Sequence, residues 1–76
     1  MNNFEYLKDS YITAMEVGML SVDKHSAKYG NELLHHLCTK LVDGSSYNEF
    51  DKLSMKQELD VLKNALDIQI EQMYNK

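Results

Sequence analysis

The chain has 76 residues, one cysteine, no proline and a formal net charge of −4. A length of this order holds one domain and buries only about 60% of the surface its unfolded chain exposes. Cys38 alone can form neither an intramolecular disulfide nor a Cys-x-x-Cys zinc site. All eight basic residues are lysines, and acids and lysines are spread evenly along the sequence. Nucleic-acid readers use a basic face and bidentate arginines, so the composition argues against nucleic acid as a partner, and equally against an anionic membrane.

No apolar run approaches the length of a membrane span. Residues Met1 to Glu5 lack the basic region and apolar stretch of a signal peptide. With a lone cysteine, the expectation is a cytoplasmic protein in a reducing compartment. A small core with no disulfide or zinc leaves association, with a partner protein or a second copy, as the remaining source of stability.

Sparse punctuation and helical periodicity predict an all-α fold: one domain over residues 1–76, with helices about 3–20, 21–42 and 47–73. The first segment carries Phe4, Leu7, Tyr11, Ala14, Met15 and Gly18 on one side. The pattern fits both a separate first helix and one that continues through Gly18 into the second. The second helix has two plausible N-caps, Ser21 and Asp23. Its apolar stripe is read as Leu33, Leu34, Leu37, Cys38 and Leu41. Gly30 interrupts it at a cost of about 1 kcal/mol relative to alanine, and with Ala27 it is read as a point of close helix approach.

Asp43-Gly44-Ser45-Ser46 is the clearest boundary. Gly44 suits the left-handed residue after a helix end, and Ser46 with Glu49 forms a Ser-x-x-Glu capping box. The short connection makes the second and third helices an antiparallel hairpin, with the first segment packed on it as an additional helix. The last helix carries one seam, Met55, Leu59, Leu62, Leu66, Ile70 and Met73, at spacings of three and four. Within that seam, Leu59, Leu62, Leu66 and Ile70 are expected to face the second helix. A second apolar line runs beside it, from which Phe50, Val61, Ala65 and Ile68 are expected to form a partner-binding strip about a quarter-turn away. The competing expectation is that the first helix covers this strip through Phe4, Leu7 and Tyr11.

Little else invites chemistry. His35 and His36 are adjacent and diverge by about 100° on a helix, and neither they nor His25 sit at a chelating spacing. No metal or other cofactor is expected. Cys38 lies on an apolar stripe, where a buried and inert thiol is the expectation. No nucleophile, base and oxyanion donor converge in the pattern, so the chain is read as a binding protein and not an enzyme. Five tyrosines and five methionines fit core packing or an adaptable binding surface.

From Leu33 to Met73 the chain resembles the small E-type co-chaperones of type III secretion needle subunits. The features that carry this are the Gly44 turn, Phe50 a few residues on, and the run Val61-Leu62-Lys63-Asn64-Ala65-Leu66-Asp67-Ile68. The resemblance implies a bacterial cytosolic protein, a tetratricopeptide-like chaperone and the needle subunit as partners, and capping of apolar surface before export. A second, shorter resemblance is to the phosphorelay aspartyl phosphatases, helical hairpins marked by Ser-Gln-Glu-Leu-Asp. Here Lys56-Gln57-Glu58-Leu59-Asp60 stands in that place, with lysine replacing the leading serine. A self-associating phage or plasmid regulatory protein is a third possibility.

Overall fold

The computed structural model describes residues 3–18 and 23–74. These fold into three helices, α1 (Asn3–Gly18), α2 (Lys24–Asp43) and α3 (Glu49–Tyr74), and no strand occurs among the described residues. The fold is all-α, a helical hairpin with an additional N-terminal helix.

α2 opens with its own cap. Asp23 has extended dihedrals, and its carboxylate accepts from the Ser26 N–H at 2.7 Å. That bond satisfies a donor the helix cannot satisfy itself, and it holds the Asp23 carboxyl below its usual range. α1 and α2 are therefore two helices. The alternative cap, Ser21, and the last two residues expected in the first helix lie outside the described residues.

The turn between α2 and α3 differs from the expected one. Gly44 is right-handed, at φ −83° and ψ −2°. Its N–H donates to the Lys40 carbonyl at 3.0 Å, and the Ser45 N–H donates to that of Val42 at 3.1 Å. The helix end thus closes by tightening and needs no left-handed residue. The cap of α3 is Asn48, not Ser46: the Asp51 N–H donates to Asn48 Oδ1 at 2.8 Å. Asparagine caps as well as serine, and two further loop residues let α3 start at Glu49. Lys52 Nζ donates to the Asp43 carbonyl and Lys56 Nζ to its carboxylate, both at 2.9 Å. Both place cations at the negative end of α2.

The core is Phe4, Tyr11 and Met15 from α1, Ala27, Cys38 and Val42 from α2, and Leu59, Leu66 and Ile70 from α3. Leu7, Leu34, Met55, Leu62 and Tyr74 pack around it. The α3 seam points inward as expected, although Met73, its last residue, is exposed. The stripe on α2 is rotated: Leu34 and Cys38 face in, while Leu33, Leu37 and Leu41 are exposed. The inner line is Ala27, Asn31, Leu34, Cys38 and Val42, also at helical spacing. Small Ala27 and Cys38 let α2 lie close to its neighbours. Gly30 takes no part in this, since a Cβ there would meet nothing within 4 Å.

One polar cluster joins all three helices. Asn31 is wholly buried. Its amide nitrogen donates to the Lys63 carbonyl at 3.0 Å and to Asp67 Oδ1 at 2.9 Å. The Tyr11 hydroxyl rests between the Asn31 backbone carbonyl, at 3.1 Å, and its side-chain oxygen. Burial pushes the Tyr11 phenol well above its ordinary range, aided by the nearby Cys38 and Asp67, so the hydroxyl stays protonated as a donor.

Candidate functional site

α2 is the hub of the packing. It contacts both other helices, α3 more extensively than α1, whereas α1 and α3 barely meet. Between α1 and α3 this leaves an open groove of about 600 Å³. Its apolar lining comes from Ile12 on α1 and from Val61, Leu62 and Ala65 on α3. Its charged lining is Glu5, Lys8, Asp9 and Glu58. Lys8 ties its two walls together. Its ammonium pairs with Glu5 at 3.0 Å and with Glu58 at 3.3 Å, and stands 4.9 Å from the centre of the Phe4 ring.

The four residues expected to bind a partner are all exposed. Phe50 is 80% exposed, Val61 70% and Ile68 59%. Phe4 and Tyr11 are buried and Leu7 is half-buried in the core, so α1 does not cover the strip. The strip lies farther round α3 than a quarter-turn. Val61 is two residues, about 200°, from Leu59, so Phe50, Val61 and Ile68 stand on the side of α3 opposite the core. Val61 and Ala65 also line the groove, which connects the outer strip to the α1–α3 cleft.

Sequence reasoning missed a second exposed line, Tyr29, Leu33, Leu37 and Leu41 on α2. Its spacing of four throughout was visible, but it overlaps the inner line through Leu34 and Cys38. Leu41 also borders a smaller cleft of about 500 Å³ with Phe4, Leu7 and Tyr47. Of the other aromatic and thioether side chains, Tyr11 and Met15 are core and Tyr6 is exposed.

The histidines do not converge. His25 and His36 are exposed, and His35 Nε2 lies 2.6 Å from Asp60 Oδ1. No group of three potential metal ligands occurs among the described residues. The Cys38 thiol is buried and its pKa is raised by that burial, which works against thiolate chemistry. Within the segment Lys56 to Asp60, Leu59 is core, Lys56 is tied to Asp43, and Asp60 faces solvent beside His35. No helix among the described residues is long and apolar enough to cross a membrane.

No family model, curated protein or solved structure matches the chain.

Proposed function

We propose that this chain is a non-catalytic helical binding module that covers apolar surface of a partner protein with the outer face of α3. The exposure of Phe50, Val61, Ala65 and Ile68 on the side of α3 away from the core carries this reading. Burying side chains of this kind is worth roughly 1.5–3 kcal/mol each, so two or three of them decide whether a complex forms. Exposed apolar patches mark interaction sites; Val61, Ala65 and Ile68 lie within about two turns of one another, and Phe50 stands about three turns from Val61 across the exposed Ser54 and Gln57. The type III secretion co-chaperone reading gives the partners a chemistry: a tetratricopeptide-like chaperone and an aggregation-prone needle subunit in a bacterial cytoplasm. The resemblance from Leu33 to Met73 supports it, together with a hairpin whose turn is at Gly44 and whose final helix begins beside Phe50.

The test is co-expression with a type III needle subunit and its tetratricopeptide-like chaperone, followed by purification on a tag carried by this chain. Wild type should bring both down. Val61→Asp with Ile68→Asp should bring down neither while keeping its helical circular dichroism and melting temperature. Retention of the partners by the double variant, or its collapse to an unfolded monomer, refutes the assignment of the surface. One observation favours the phosphatase reading instead: Asp60 projects into solvent beside His35. On that reading the wild type accelerates dephosphorylation of a phosphorylated response regulator, and Asp60→Ala removes the effect without unfolding the chain.

A further inference from the structure

The α1–α3 groove has the position of a missing helix. α2 packs against both α1 and α3, and those two barely meet. A fourth helix laid against α1 and α3, across from α2, would complete a four-helix arrangement with each helix touching two neighbours. The lining offered to it is apolar, with half-buried Ile12 and Leu62 inside and exposed Val61 and Ala65 along the α3 edge. The α3 wall, from Ser54 to Ala65, spans three turns, about 17 Å.

The rim identifies the occupant. It holds three carboxylates, Glu5, Asp9 and Glu58, against the single ammonium of Lys8. Lys8 is already engaged by Glu5 and Glu58, and Asp9 is exposed with no ion pair among the described residues. A second copy would meet this rim with its own acids if the same groove paired across a two-fold axis, and like charges set face to face oppose association. We infer that the groove receives one amphipathic helix of a different protein, about three turns long, with an apolar seam flanked by lysine or arginine. This rests on the proposal that the chain is a binding module and specifies the partner's chemistry.

The probes are two hydrocarbon-stapled helical peptides of about 14 residues, stapled because free helices of that length are marginal in water. They share a Leu/Ala seam and differ only in flanking lysines or flanking glutamates. Binding to the full chain is read by fluorescence anisotropy. The lysine peptide should bind about tenfold more tightly than the glutamate peptide, the combined effect of two or three exposed charge pairs. The preference should shrink as salt shortens the screening length. Ala65→Glu, in the apolar lining, should abolish binding, and Asp9→Lys, on the exposed rim, should weaken the lysine peptide several-fold with the melting temperature unchanged.

Equal or tighter binding of the glutamate peptide overturns the inference, as does lysine-peptide binding that ignores Ala65→Glu. A homodimer in sedimentation that Ala65→Glu dissociates also overturns it, because the occupant is then a second copy. If neither peptide binds while Val61→Asp with Ile68→Asp still abolishes partner capture, the basic-helix inference fails and the binding-module reading stands. If partner capture survives that double variant, the broader reading fails.

Discussion

Asn31 is the residue at which all three helices are keyed together. A buried amide is costly unless its donors and acceptors are met, and here Tyr11, the Lys63 carbonyl and Asp67 meet them. Asn31→Ala would remove the shared side chain, leaving the Tyr11 phenol only the backbone carbonyl of that position and depriving Asp67 and the Lys63 carbonyl of the amide donor. We expect a loss of about 2–3 kcal/mol, the cost of leaving buried polar groups unmade, read by urea denaturation. Asn31→Leu with Tyr11→Phe should cost less than the sum of those same two changes made singly, because the hydroxyl and its side-chain acceptor then leave together. Strict additivity in that cycle would show that the Tyr11–Asn31 contact contributes nothing.

At the scale of elements, α3 is started by Asn48. Asn48→Ala should destabilise the protein by about 1 kcal/mol, and Ser46→Ala should leave the denaturation midpoint unchanged; the opposite ranking would restore Ser46 as the cap. This end of the hairpin was nearly legible in the sequence, because cap chemistry is local and the error was two residues. The exposed strip was legible too, since α3 carries more apolar residues than one neighbour can cover. The rotation of α2 was not. Leu33, Leu37 and Leu41 and the line from Ala27 to Val42 both repeat at helical spacing. What selects between them is the partners of Asn31, which lie 20 to 36 residues away in sequence. The groove was hidden for the same reason, because Lys8 meets Glu58 across 50 residues.

The whole molecule is a rod of 43 × 18 × 17 Å, and the α2–α3 hairpin carries a charge clasp remote from the turn. Glu71 pairs with Lys24 at 2.7 Å and with Lys28, and bonding to Lys24, then to Lys28, holds its carboxyl down to about 2 from an ordinary 4.5. The unfolded chain therefore binds the proton more readily than the folded one. The contribution of the clasp is fully present above pH 4.5, shrinks as pH falls below that, and is gone by about pH 2. In thermal melts, wild type should exceed Glu71→Gln near neutrality, with the gap closing across that window; a constant gap would assign it to packing. The central place of α2 has a kinetic consequence. Because the backbones of α1 and α3 approach each other at few points, those two form the least favoured folding nucleus. The favoured nuclei of two helices include α2. A lesion in α1 or α3 leaves one route to the native state open, whereas a lesion in the inner line of α2 slows both.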